Sequence, residues 1–214
     1  MRIGFVLSLV PMAVTAAPVA AEDWEGGVVG VSAGYAWSEV GSTAFSITAV
    51  PVGPVINDVT QDGAPTLGGV GGYRWAIGKL IAGAEIDADW TNAALDRNSP
   101  ATATTNKVRW QGTGRAIVGV PTGKALLFAT GGLSAARMDH TASFGLGAPL
   151  FRWSRTSTGW VAGGGVELDL GKIRPRLEYR HSDYGRTTTL VNSAIYFNRE
   201  LSSDTIRLSA LLAF

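Results

Sequence analysis

Cysteine is absent from the 214 residues, which excludes a disulfide framework, thiol catalysis and Cys-ligated zinc or iron–sulfur centres. Charge is scarce: Asp, Glu, Lys and Arg supply 16% of the chain, against a usual share of about 25%. Neither sign dominates, because 18 Lys and Arg face 17 Asp and Glu. With no compact basic run either, the chain lacks the electrostatic footprint of a nucleic-acid binder. Histidine is confined to His140 and His181, neither of which has a metal-ligand spacing around it. No G-x-S-x-G, Walker loop, H-E-x-x-H or EF-hand pattern occurs. The expectation is a protein that is not an enzyme and uses no cofactor or metal. Past residue 21 no stretch reaches the roughly eighteen apolar residues of a membrane-spanning helix.

Glycine and apolar residues are abundant, with 28 Gly and 46% hydrophobic positions. That content is too high for disorder, and without a three-residue Gly period it is not collagen. Residues 1–21 read as a leader. Met1 and Arg2 give a positive start, an apolar stretch follows, and small residues end at Ala21 before Glu22, the expected signal cleavage point. Without the leader the remaining domain, 22–214, holds 17 basic and 17 acidic residues and is formally neutral.

The rest of the chain alternates with period two. Leu80, Ala82, Ala84, Ile86, Ala88 and Trp90 share one face, while Ile81, Gly83, Glu85, Asp87 and Asp89 share the other. A helix would scatter those acids around its circumference. Residues 27–37, 66–75, 107–120, 126–137, 157–170, 173–183 and 205–214 follow the same pattern with different clarity, giving eight strands in all. Connections alternate in length. Those at 38–65, 91–106, 138–156 and 184–203 are long, while those at 76–79, 121–124 and 171–172 are short and carry Gly or Pro turn chemistry. Segregation of tight turns to one end predicts an all-β, eight-stranded antiparallel up-and-down barrel of the transmembrane kind, with long extracellular loops and short periplasmic turns.

Aromatic positions indicate which face meets lipid. Tyr35, Trp37, Trp90, Trp110, Trp160 and Tyr179 fall toward the long connections, and Tyr73, Trp75 and Phe214 toward the short ones, all on the apolar face. Two aromatic belts flanking a Val, Leu, Ala and Ile band match the two bilayer interfaces. A water-soluble barrel with aromatics in its core is the rival assignment. On the membrane assignment the lumen collects Arg74, Glu85, Asp87, Asp89, Lys107, Arg109, Arg115, Glu167, Asp169, Arg174, Arg176, Glu178, Arg180 and Arg207. The trio Glu85, Asp87 and Asp89 also suits acid–base work or cation binding, but its spacing beside a basic strand favours a structural ion network.

The segment from Gly159-Trp160 through Gly163-Gly164-Gly165-Val166-Glu167, with Arg176-Leu177-Glu178-Tyr179-Arg180 and Tyr184-Gly185 after it, resembles the sixth and seventh strands of small porin-family outer-membrane barrels of alphaproteobacteria. These include major surface antigens and hemin-binding proteins. The likeness extends to residues 28–35, to Gly131-Gly132-Leu133 and to the terminal strand; the long first connection and Arg180-His181 depart from it. Ile206, Leu208, Ala210 and Leu212 ahead of Phe214 resemble the signal read by the outer-membrane assembly machinery. The resemblance implies a location in the bacterial outer membrane, with outer-membrane lipid and lipopolysaccharide as surroundings and the assembly machinery as a partner. The functions it leaves open are a surface-exposed structural component, a narrow channel for ions or small solutes, and hemin or host-ligand capture by the outer loops, where His140 lies.

Overall fold

In the computed structural model the described residues are 21–46, 54–91, 94–99, 102–144, 151–192 and 195–214, with side chains described for 21–39, 62–91, 107–139, 154–186 and 200–214. The leader assigned to 1–21 lies outside them except for Ala21. A 3₁₀ turn, Ala21–Trp24, precedes strands β1 (Gly26–Ser46), β2 (Pro54–Ile77), β3 (Leu80–Thr91), β4 (Ala94–Ser99), β5 (Thr102–Thr122), β6 (Ala125–Phe144), β7 (Phe151–Leu168), β8 (Ile173–Asn192) and β9 (Ile195–Ala213). β3 and β4 both pair with β5 and occupy one position in the wall, so the nine segments form eight staves. All pairings are antiparallel between neighbours, and β1 pairs with β9 to close the barrel. Closure reaches the last residue: Gly27 N donates to Phe214 O at 2.8 Å and Phe214 N to Gly27 O at 3.0 Å.

Period-two alternation decides which side chains face where. Val31, Ile86, Leu133 and Leu208 are 64–73% exposed on the outer surface, while Arg74, Glu85, Glu178 and Arg207, one strand residue out of phase, are at most 1% exposed inside. Charged side chains inside and bare aliphatics outside invert the order of a water-soluble protein and match a barrel bathed in lipid. Two turns are two-residue loops, Gly78-Lys79 and Gly123-Lys124, with the glycines at φ 63° and 60°. Glycine at the first central position suits hairpin turns that follow the strand twist.

Two sequence expectations are corrected. The connections at 38–65, 91–106, 138–156 and 184–203 are mostly paired strand, not loop. Ladders continue to Phe45↔Pro54, Ser99↔Thr102, Ala142↔Phe151 and Asn192↔Ile195. A strand crosses the hydrocarbon in about 9–11 residues, so β1, with 21 residues, runs well beyond it. Outside lipid neither face of a hairpin must be apolar. The alternation signal therefore fades, although the backbone still pairs.

The second correction concerns Lys107 and Arg109, which simple alternation sends into the lumen. The β5–β6 ladder shifts between Val108 and Trp110, leaving Arg109 as an extra, unpaired residue. Such a bulge reverses the side-chain phase beyond it. Val108 is consequently buried, and Lys107 and Arg109 stand exposed on the outside.

The β7–β8 ladder is the short one, running only from Trp160↔Asp183 to Glu167↔Arg176. Among the described residues β7 keeps only β6 as a ladder partner beyond Trp160. On β8, Gly185 adopts φ 67° at a register shift against β9, its amide bound to Asp183 Oδ1 at 2.7 Å.

Strands pack tightly where the lumen is crowded. A Cβ at Gly132 would lie 2.5 Å from Arg115 Cα and 2.7 Å from Arg115 Cβ. Gly132→Val is therefore expected to destabilise the barrel by about 1–3 kcal/mol, seen as a lower thermal midpoint and a weaker compact band on unheated gels. A midpoint equal to wild type would mean that β5 yields freely, contrary to this packing.

Candidate functional site

The inner residues stack in layers along the barrel axis. At the short-turn end Trp24 is fully buried against Ala21, Ile81, Ile117, Leu126 and Phe128. Arg174 covers the Trp24 ring at 4.7 Å and donates from Nη2 to the Asp23 carbonyl at 2.5 Å. The 3₁₀ turn and this cation–π contact make a floor across the lumen. Trp24 drew no attention in the sequence because it lies ahead of the first alternating segment. Its one readable signal is a large aromatic residue next to a strand start.

Above the floor five arginines meet five carboxylates. Arg74 sets both terminal nitrogens on Glu167 at 2.8 Å each and reaches Glu85 at 3.2 Å. Arg176 forks onto Glu85 at 2.6 and 2.8 Å and donates Nε to Glu167 at 2.9 Å, with Phe128 under its guanidinium at 5.0 Å. Arg115 pairs with Glu178 and approaches Glu85 and Asp87 at 3.3 and 3.2 Å. Arg180 binds Asp87 and Asp89 at 2.6 Å each, and Arg207 joins Asp87, Asp89 and Glu178 at 3.2, 3.2 and 2.9 Å. The ten side chains are no more than 3% exposed, and their formal charges cancel.

Each oxygen of the Glu85, Asp87 and Asp89 trio is engaged. Thr113 donates to Asp87 at 2.5 Å and Ser32 to Asp89 at 3.1 Å, and arginines take the remaining places. Bidentate guanidinium–carboxylate pairing fixes these groups in place. It leaves the trio no oxygen free for a substrate or a cation. Among the described residues no group of three or more His, Cys, Asp or Glu could hold a metal ion.

The other charged residues assigned to the lumen sit apart from this network. Arg174 belongs to the floor, and Asp169 lies at its rim, 3.7 Å from Arg174 and partly exposed. Lys107 and Arg109 are outside the barrel, where Arg109 Nε donates to Asp139 at 2.8 Å. The Ser154 hydroxyl and Arg109 hold the Asp139 carboxyl below its ordinary range. Toward the long-hairpin end apolar side chains are buried again, with Ala64 and Val108 against Met138, and Ala136, Tyr184 and Leu201 in a second cluster. Tyr184 receives a hydrogen bond from Ser134 at 2.9 Å.

Of the aromatic positions, Tyr35, Trp37, Tyr73, Trp75, Trp90, Trp160, Tyr179 and Phe214 are exposed on the outer face, and Trp110 is half-buried. Register puts Tyr35 beside Ile206 and Ile206 beside Tyr179, and sets Trp90 opposite Trp110, at the long-hairpin side. Tyr73, Trp75 and Phe214 lie at the turn end, and Leu208, Ala210 and Leu212 share the outer face with Ile206 and Phe214. His181 directs Nδ1 at Asp204, 2.8 Å away, on that outer face. The side chain of His140 lies outside the described residues.

The family model described as the outer membrane protein beta-barrel domain matches residues 6–214. The 31 kDa outer-membrane immunogenic protein of Brucella melitensis is 28% identical over 207 residues, covering 92% of this chain and 86% of the relative. The 22 kDa outer membrane protein of Rhizobium leguminosarum is 28% identical over 147 residues, 67% of this chain and 63% of that one. Among solved structures, the outer membrane protein OprG from Pseudomonas aeruginosa aligns with a TM-score of 0.59 at 13% identity, covering 89% of this chain and 97% of OprG. That last likeness is one of fold.

Removing one member of a balanced buried network strands the others. Glu85→Gln deprives Arg74, Arg115 and Arg176 of a shared counter-charge and is expected to cost about 3–5 kcal/mol. The measurement is the urea midpoint of the barrel reconstituted in vesicles, and an unchanged midpoint would show that water solvates the lumen.

Proposed function

This chain belongs to the outer membrane protein β-barrel family, and from that premise we propose that it serves as a closed, non-catalytic component of the bacterial outer membrane. On this reading the wall is a rigid anchor, the lumen does not conduct, and the paired hairpins beyond the outer belt present a surface to the outside. Outer-membrane lipid, lipopolysaccharide and the assembly machinery that inserts barrels are its proposed partners. The name of the Brucella relative, an immunogenic outer-membrane protein, agrees with such an exposed surface.

The observation that carries this reading is the neutral ten-residue network, which ties β3 to β2, β5, β8 and β9 across the lumen between buried apolar clusters toward either end. An interior enclosed by eight strands is about wide enough for side chains alone. An ion crossing it would have to replace bidentate contacts, and every carboxylate of the network is already held by at least two arginines. The channel reading lacks a continuous polar path, because Trp24, Ile117 and Leu126 interrupt it at one end. Among the described residues nothing favours hemin capture.

In planar bilayers the purified barrel is expected to give no steady single-channel current. Trp24→Ala should remain silent as well, since the ionic layer above the floor is intact. Reproducible conductance that disappears on changing Arg115 or Glu178 would replace the closed-anchor reading with a channel. A saturable absorbance change on titration with hemin would establish ligand capture instead.

A further inference from the structure

The outward bulge at Arg109 gathers charge on one wall. Lys107 sits opposite Asp139 and Trp110 opposite Arg137, so Lys107, Arg109 and Arg137 cluster on the outer face of β5 and β6, just beyond Trp110. Asp139 lies among them and pairs with Arg109, leaving a surplus of two positive charges. Arg137 also faces Asp139, whose carboxyl both arginines help to hold ionised.

Acidic groups collect on the opposite wall. Glu39 is exposed on β1 and Asp204 lies on the outer phase of β9, where it accepts from Tyr179 at 2.7 Å. Glu200 on β9 is neutralised by Arg186. In the order of the staves, β5 and β6 stand diametrically across from β9 and β1. The belt therefore carries a basic side and an acidic side at similar height.

Directly below the basic cluster the lipid-facing wall is hollowed. A groove of about 950 Å³, mostly apolar, runs across it between Ile86, Leu133 and Trp160, with Gly112, Gly114 and Ala135 at its base and Asp183 at its far edge on β8. Small residues create the hollow: a Cβ at Gly114 would meet nothing within 4 Å. Arg137 is two positions beyond Ala135 on the same face of β6, a step of about 7 Å along the strand. Cationic side chains at the headgroup level thus stand over an apolar trough at acyl-chain level.

We propose that this wall is a binding site for an anionic, phosphate-bearing lipid of the outer leaflet. Its phosphate sits among Lys107, Arg109 and Arg137, and one acyl chain lies in the groove over Gly114 and Ala135, beside the Trp110 ring that covers Gly112. Charge complementarity selects the headgroup, and the trough beneath selects a lipid over a soluble anion. The acidic wall repels the same lipid, so it occupies one side of the barrel. Arg109 and Asp139 remain paired, with Arg109 offering its other nitrogens to phosphate oxygens.

The test uses the folded full-length barrel in neutral detergent with diphosphoryl lipid A as probe, and adducts counted by native mass spectrometry. Wild type should bind lipid A saturably and take up phosphatidylcholine far less. The exposed triple variant K107Q/R109Q/R137Q should lose affinity by about tenfold or more. Gly114→Leu, which fills the trough while sparing the charges, should also weaken lipid A. Arg186→Gln, which removes an exposed β8 cation outside the cluster, should leave binding as it was. Folding of each variant is checked by unheated gel mobility. Equal affinity of wild type and triple variant overturns the proposal. So does a Gly114→Leu variant that binds normally, or displacement of lipid A by inorganic phosphate at comparable concentration, either of which reduces the site to a general anion patch. An equal loss on Arg186→Gln would trace the effect to overall charge and defeat it too. A wild-type dimer that dissociates on the triple change, with lipid uptake unaltered, assigns the wall to a second copy of the chain and overturns it as well.

Discussion

Neutrality of the enclosed charge is the constraint on which this molecule depends. A barrel in lipid must turn its apolar phase outward, which sends every alternate residue into a lumen too narrow for bulk water. An unpaired ion there is penalised by several kcal/mol. The chain meets this with five guanidiniums and five carboxylates arranged so that each acid touches at least two arginines. The acids of β3 draw arginines from β2, β5, β8 and β9, so the network ties staves that do not pair with one another. Backbone hydrogen bonds close the cylinder, and the ions brace it across its diameter.

That bracing explains the glycines around it. At Gly72 a Cβ would come within 2.7 Å of Glu85 Cγ, and at Gly163 within 3.2 Å of Arg180 Cγ. Long charged side chains must leave the wall almost parallel to it before turning inward, and a neighbouring Cβ would stand in their path. Glycine is destabilising in an isolated strand. Here that penalty is offset because the vacated volume is filled by a paired ion.

What was legible in the sequence follows from where lipid acts. Across the membrane every second residue must be apolar, so the staves, the tight turns and the inward phase of Glu85, Asp87, Asp89, Glu178 and Arg207 could be read from alternation. Beyond the outer belt that pressure ends. The paired hairpins therefore resembled loops, and the phase reversal at Arg109 left no mark, because Val108 and Trp110 are both apolar and a bulge preserves the look of alternation on either side. Trp24 was hidden for a different reason. It plugs the floor from outside any strand, and its contacts with Ile117, Leu126 and Arg174 are set by three-dimensional closure alone. Of the fourteen charged residues assigned to the lumen, four are separate from the network: Arg174 is in phase but covers the floor, Asp169 lies beside a turn, and Lys107 and Arg109 lie at a bulge.

The bulge also divides the molecule's electrostatics into two regimes. Inside, cations and anions interlock, and each carboxylate of the network is held by at least two arginines. Outside, a cluster with a surplus of positive charge on β5 and β6 stands across the barrel from the acids Glu39 and Asp204 on β1 and β9. Exposed charges placed this way contribute little to stability. Their arrangement instead gives a cylindrical object a direction within the plane of the membrane. One inserted residue produces this, because without the register shift Lys107 and Arg109 would point into a lumen whose charges already balance. Placing them inside would add two unpaired cations to a network already in balance, and the bulge puts the same charge on the outer surface instead.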